Sequence, residues 1–380
     1  MGTASTSKRL SLLIPGLIAG AAVLILLPHL MSTDYTRQLL NQALIYIVIV
    51  VGYNFFTGDI GQLSMAQQGF FAIGAYTTAI LTTTSGWPWW AALLASMLIT
   101  GFAGILVGIP TLKVRGQYLI MVTMGFSEII RLVATNWGGL TNGASGIPKI
   151  PSPSLGAWHF TSKTSIYYLF LAMALIMILI AWRVRKTKYG RAFLAIRDGE
   201  LAADVMGLNT TYVKVIAFFL SAVFAGMGGN MFASSFNYIS PDTFTLSQTV
   251  LILAMLLIGG EGSISGAIVG AIILTYLPEL LRFAANYYVM IYGLLILLIT
   301  LFLPGGVVGY VKTLWKRTVG PKLFKTTPVA EAPREFNARD LLMGRSKAYQ
   351  KPAPSSTESP SFEDGQPSLA KTVKKEGDAS

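Results

Sequence analysis

The sequence predicts an all-α polytopic membrane protein of about ten transmembrane helices (eight to ten), with both termini in the cytoplasm. Three observations carry this expectation. Hydrophobic residues make up 53% of the chain and charged residues only 12%, about half the ~25% of an ordinary globular protein. Apolar runs close to the ~20 residues that a helix needs to cross a bilayer recur along the chain. The basic residues collect in alternate gaps between those runs.

The runs fall near 10–30, 38–56, 65–83, 89–109, 118–135, 164–182, 211–233, 246–259, 266–283 and 287–304. The third, eighth and ninth are glycine-rich or short, which suits half-helices or re-entrant segments packed inside protein. The run from Leu10 to Met31 outlasts the ~7–15-residue core of a secretory signal and reads as a retained span. Counted from a cytoplasmic N-terminus, the inner gaps hold Lys8, Arg9, Lys113, Arg115, Arg183, Arg185, Lys186, Lys188, Arg191, Arg197, Lys214, Lys312, Lys316, Arg317, Lys322 and Lys325. The outer gaps hold only Arg37, Lys149 and Lys163, while Arg131 and Arg282 fall within runs. That is the positive-inside pattern.

The organisation that follows is a cytoplasmic N-terminus (1–9), a transmembrane domain (10–310) and a basic juxtamembrane segment leading into a tail (311–380). The domain carries an outer loop at 136–163 and an inner loop at 183–210. The outer loop contains GGLTNGASGIPKIPSPSLGAW, whose glycines and prolines favour turns over a periodic element. Beyond Thr326 the tail carries eight bases and eight acids, so the net +12 belongs to the rest of the chain. With only Phe336, Tyr349 and Phe362 as aromatics, the tail has too little apolar surface to offset its ordering entropy, and disorder is expected there.

Composition and motifs exclude several function classes. The chain has no cysteine and two histidines, His29 and His159, which removes disulfides, thiolate sites and histidine-rich metal centres. No G-x-x-x-x-G-K-[ST] loop, G-x-S-x-G elbow or H-E-x-x-H pair occurs, so the chain is read as no enzyme and as needing no cofactor of its own. Its bases sit in short gaps between apolar runs rather than on a polar face with interleaved aromatics. Membrane lipid, not nucleic acid, is therefore their expected neighbour.

The inner loop, RVRKTKYGRAFLAIRDGELAADVMGLNTTYVK from Arg183 to Lys214, is long and suggests two short helices. Asp198 is placed to cap the second, Leu201, Val205 and Leu208 recur at helical spacing, and Gly207 supplies a stop. A basic loop resting on anionic headgroups would show the same charge. It would not need the apolar stripe, which asks for a protein partner from the cytosol.

Five segments carry a family resemblance: GQLSMAQQGFFAIGAY (61–76), RGQYLIMVTMGFSEIIRL (115–132), TNGASGIP (141–148), YGRAFLAIRDGELAADVMGLN (189–209) and IGGEGSISGAIVGA (258–271). In this order, over roughly residues 40–310, they resemble the permease subunits of branched-chain amino acid ABC importers, of the LivM type. The Pro-rich tail departs from the family's usual short ending. The resemblance implies a bacterial inner (plasma) membrane protein working with a homologous second permease (LivH-type), two cytosolic ABC ATPases that use ATP, and a periplasmic substrate-binding protein. It also implies that the inner loop couples to the ATPases through Gly190, Arg191, Ala195, Arg197, Asp198, Glu200, Ala202, Ala203, Gly207 and Leu208. Small residues such as Ala192, Ala195, Ala202 and Ala203 would let a short helix seat closely in an ATPase groove.

A charge at membrane depth must face a partner or water. Glu128 with Arg131, and Glu279 with Arg282, are each spaced to share a helix face, as an ion pair or as contacts of a solute pathway. An amino-acid pathway calls for polar, uncharged linings, and Gln62, Ser64, Gln67 and Gln68 fit. Ser64, Gln67 and Gln68 are expected on one helix face beside Gly69 and Gly74, where they serve either solute contact or interhelical hydrogen bonds. Asn54, Asn230 and Asn237 are further candidates, and Gly259, Gly260, Gly262 and Gly266 suit a tight reversal beside Glu261. Two rival readings remain: a permease for urea, short amides or other amino acids, and an ion-coupled secondary carrier using Glu128 or Glu279.

Overall fold

In the computed structural model, residues 33–281 are described apart from 112–113, 115 and 156–157, together with residues 26, 28, 29, 293, 294, 297 and 306–310. All lie within the first of two compact units, Met1–Leu323. The expected runs at 10–30 and 287–304, Arg282, Lys113, Arg115 and the 311–380 segment fall almost wholly outside the described residues.

The described chain is an all-α polytopic membrane protein. Its helices are α1 (Asp34–Tyr53), α2 (Gln67–Thr83), α3 (Trp89–Thr111), α4 (Gln117–Asn136), a single turn α5 (Gly138–Thr141), α6 (Lys163–Lys186), α7 (Lys188–Asp198), α8 (Glu200–Val205), α9 (Thr210–Phe236), α10 (Leu246–Gly259) and α11 (Ile264–Leu280). A π-helical turn, Asn54–Asp59, prolongs α1 without interruption. Among the described residues six stretches are long and apolar enough to cross a membrane: Asp34–Asp59, Trp89–Thr111, Gln117–Asn136, Lys163–Lys186, Thr210–Phe236 and Pro241–Gly259. At 1.5 Å per residue, α2 and α11 reach only about 25 Å, short of a ~30 Å hydrocarbon core.

Contacts at the two ends show that the helices alternate in direction. At one end, Tyr35 in α1 donates to Glu279 in α11 (2.7 Å), Gln38 in α1 to Ser235 in α9 (2.9 Å), and Trp89 in α3 to Ser234 (2.5 Å). At the other end the close of α1 meets the close of α6 and the turn between α10 and α11. This second end gathers Arg183, Arg185, Lys186, Lys188, Arg191, Arg197 and Lys214, and is called the basic end below.

α9 forms the centre, buried along most of its length between α1, α2 and α3. Small residues make that possible. A Cβ on Gly74 would run into the Gly226 backbone, and one on Gly229 into the backbone of Phe71 and Ala75, so the backbones of α2 and α9 touch, as small-residue helix packing allows. Between the helices lie edge-on aromatic pairs, Phe56 with Phe218 and Phe71 with Phe232 among them. α4 lies at the periphery and leaves Tyr118, Met121, Ile129 and Leu132 exposed.

The loop after α4 contains mostly turns, as its composition predicts, but also a short ladder. β1 (Ile147–Pro148) pairs antiparallel with β4 (Tyr238–Ile239), just beyond α9, and β2 (Ser154–Leu155) pairs with β3 (Trp158–His159). Gly146 at φ +70° lies so close to the Ile239 backbone that no side chain fits. The ladder ties the loop to the end of α9.

Candidate functional site

Two constellations stand out, a polar knot at the basic end and a pocket beside α2. The knot begins with the π turn. Gly58 lies in the last turn of this helix, where carbonyls lack an intrahelical partner, and Arg197 Nη1 donates to its carbonyl at 2.8 Å. Asn54 Oδ1 accepts the Gly262 N–H at 2.9 Å. A Cβ on Gly58 would strike both Asn54 and Gly262, which makes glycine obligatory. The turn from α10 to α11 is equally tight: Gly260 and Gly262 have φ of +111° and +74°, and Gly259 packs on Gly266 and Gly270.

Asp59, 1% exposed, forms an ion pair with Arg185 from the end of α6 at 2.7 Å. Arg185 also donates to the Gly262 carbonyl, and Arg197 lies 3.7 Å from Glu261. Glu200 pairs with Lys214 at 2.7 Å and accepts from Gln62 at 3.1 Å. A buried carboxylate is tolerable only when so paired. Arg185, Arg197 and Lys214, which the charge pattern places in solvated inner gaps, instead fasten α6, α7 and α9 to the rest of the bundle.

The two short helices expected in the inner loop are present as α7 and α8. α7 is seated by Phe193 and Ile196, both buried, with Phe193 edge-on to Phe55 of the π turn at 6.4 Å. Gly190 meets the Arg185 backbone so closely that no Cβ could enter. Arg191, Ala195 and Asp198 face outward. α8 projects further: Leu201 is 74%, Val205 81% and Met206 86% exposed. Its end is a full Schellman closure, Gly207 N–H to Asp204 C=O (2.9 Å) and Leu208 N–H to Ala203 C=O (3.1 Å), with Gly207 at φ +84°.

Three details differ from the sequence reading. Asp198 does not cap α8: it ends α7, the cap position is Gly199, and no side chain bonds the helix start. Ala203 is buried and Leu208 half-buried, so both pack on the bundle, and the outward apolar face is Leu201, Val205 and Met206. Ala202 is exposed as expected.

The pathway candidates separate. Gln62 belongs to the knot through Glu200. Ser64 does not share a helix face with Gln67 and Gln68, because residues 61–66 are irregular and α2 starts at Gln67. The break is built from outside the helix: Ser127 of α4 accepts from Gly69 N–H and donates to Met65 C=O, Thr123 accepts from Met65 N–H, and Tyr53 donates to Ser64 C=O. Gln67 is an interhelical tie, donating to Ile49 C=O (3.2 Å) and accepting from Ser221 (2.8 Å). Asn230 likewise donates to Thr78 (3.1 Å). Asn237 donates to Ile150 C=O (2.7 Å), tying the outer loop to the end of α9. Gln68 and Glu128 line one pocket. Glu128 pairs with Arg131 as the spacing predicts, Arg131 Nε standing 3.0 Å from each carboxylate oxygen. Glu279 accepts from Tyr35.

Sequence reasoning missed Asp59, Arg185, Thr123 and Ser127 as site members. An acid closing an apolar run was the available signal for Asp59, since such a group needs a partner. Nothing local names that partner, which comes from α6.

The family described as the permease component of the branched-chain amino acid transport system matches residues 35–300. The high-affinity branched-chain amino acid transport system permease protein LivM of Salmonella typhimurium is 34% identical over 289 residues, covering 70% of this chain and 68% of that relative. The protein of the same name in Escherichia coli is 33% identical over 313 residues, covering 76% and 73%. The autoinducer 2 import system permease protein LsrC of Salmonella paratyphi B is 30% identical over 221 residues, covering 56% and 62%. No solved structure matches. With the family match running through most of the chain and both LivM relatives aligned along more than two thirds of their own length, this chain belongs to the family of branched-chain amino acid transport permease components.

Proposed function

We propose that this chain is a transmembrane permease subunit of an ABC importer for branched-chain amino acids, in a bacterial inner membrane with both termini cytoplasmic. It forms half of the pathway beside a homologous permease, receives solute from a periplasmic binding protein and hydrolyses nothing itself. ATP is used by two cytosolic ATPases that grip α7 and α8. In this reading the basic end is cytoplasmic and the ladder-bearing loop periplasmic, in keeping with the positive-inside pattern. Ten crossings follow if the two shorter helices α2 and α11 also cross and residues 10–30 and 287–304 each add one.

The observation that carries the proposal is the contrast between α7 and α8. α7 is anchored by buried Phe193 and Ile196 and by Arg197, whereas α8 presents Leu201, Val205 and Met206 to the outside on the polar, basic end. An exposed apolar face there needs a protein partner. A push on α8 has no slack to lose in α7. The ion-coupled carrier is less well supported, because Glu128 is held by Arg131 and Glu279 by Tyr35.

The test is reconstitution of the importer, with both permeases, both ATPases and the binding protein, in proteoliposomes. Val205→Asp with Leu201→Asp leaves the bundle intact, since both side chains are exposed, and is expected to abolish leucine uptake and to release the ATPases on co-purification. Uptake by the isolated chain under an ion gradient without ATP would defeat the reading.

A further inference from the structure

A cavity of about 200 Å³ opens between α2, α4 and the segment entering α10. It is smaller than the roughly 300–1,000 Å³ of drug-sized sites, so it has room for one small solute. Met124, Phe244 and Leu246 give it a hydrocarbon wall, and Gln68 and Glu128 supply polar groups.

Gln68 is the telling member. It is 2% exposed, and neither its amide nitrogen nor its amide oxygen has a hydrogen-bond partner among the described residues. Leaving such a group unpaired forfeits its water hydrogen bonds without replacement, which a packing role would not call for. The adjacent Gln67 uses both ends of its amide to tie helices together, so α2 does satisfy a glutamine that serves packing. Ser127, on the same wall, is already engaged with Met65 and Gly69. The Glu128 charge is balanced by Arg131. The pocket therefore has no net charge, an unmatched donor and acceptor, and an apolar flank.

We infer that this pocket is a solute-binding station on the pathway, taking a free aliphatic amino acid. Its charged but overall neutral head meets the Gln68 amide, with the ammonium beside Glu128, and its short side chain lies against Met124, Phe244 and Leu246. The inference rests on the permease reading and adds binding residues to it. A ligand with a net charge would find no counter-charge here, which sets the class apart from acidic and basic amino acids.

The experiment uses the complete importer in proteoliposomes with leucine as the probe. Gln68→Leu removes the unpaired amide at nearly constant volume, so it is expected to keep or raise the thermal unfolding temperature. At the same time it lowers the maximal rate of ATP-driven leucine uptake at least tenfold. The half-saturating leucine concentration should stay unchanged, because the binding protein sets it. Leu246→Trp, at a half-exposed rim position, is expected to slow leucine more than alanine. Uptake by Gln68→Leu within twofold of the parental rate would overturn the inference, as would a loss of thermal stability, which would mean that the amide has a packing partner. If the parental complex shows no ATP-driven uptake, the permease reading itself fails, a result separable from either of these.

Discussion

Replacing Arg185 with methionine keeps much of the side chain's length and apolar stem while removing the charge that faces Asp59. Asp59 is 1% exposed and its ion-pair distance to Arg185 is 2.7 Å, so the variant leaves a carboxylate in a dry site with only Arg197, bonded to the neighbouring Gly58 carbonyl, as a nearby cation. Losing one partner of a buried pair costs about 3–5 kcal/mol. The Arg185 side chain is itself 23% exposed, which allows some water to enter and favours the lower end, about 3 kcal/mol, on the order of a hundredfold in the unfolding equilibrium. The contact with the Gly262 carbonyl is lost as well. Denaturant titration of the purified complex measures the loss. The double variant Asp59→Asn, Arg185→Met is expected to recover about 2 kcal/mol, because no uncompensated charge remains. A loss below about 0.5 kcal/mol for Arg185→Met, the range of an exposed pair, would refute the argument that this pair anchors the knot.

Gly74→Ala is expected to destabilise by about 1–3 kcal/mol through overpacking, because its Cβ meets the backbone of Gly226. Gly125→Ala, on α4 with nothing within 4 Å, is the control and should be neutral or mildly stabilising in the same thermal melts. Gly207→Ala forces a left-handed residue at φ +84°, at a cost of about 1 kcal/mol. Its signature is faster hydrogen exchange confined to 200–208, with lower uptake but full membrane insertion.

Hydropathy made the helices legible because each must bury its backbone bonds and face an apolar surround, and the described helices fall on the expected runs. It did not show where a helix gives way to irregular chain. The run reads as helix from 65, with Ser64 on the same face, yet residues 61–66 are irregular: Gly61 has φ +79° and hydroxyls from α4 and the Tyr53 phenol hold the segment open, none of them adjacent in sequence. The same limit hid the Arg185 pairing and the true cap of α8, since both depend on which distant element arrives. The resemblance motifs did better than local pattern. They join in space: Gln62 of the first bonds Glu200 of the fourth, Arg197 of the fourth reaches Glu261 of the fifth, and Gly69 of the first bonds Ser127 of the second.

Those junctions supply a short route from the inner loop to the pocket. Arg197 lays its aliphatic stem over Gly61 and its guanidinium on the Gly58 carbonyl. Phe193 braces Phe55 in the same π turn. From Gly61 the chain runs through residues 61–66 straight into Gln67 and Gln68. A helix would carry a displacement of α7 along its axis, but this segment is irregular and hung on Thr123 and Ser127 of α4. If the ATPases drive α7 as proposed, its shift would change how α2 sits against α4, which is where the pocket opens. Coupling of this kind needs an element with two arrangements. Of the described parts, the 61–66 segment meets that need best, since its bonds are to side-chain hydroxyls that can exchange partners without breaking a helix.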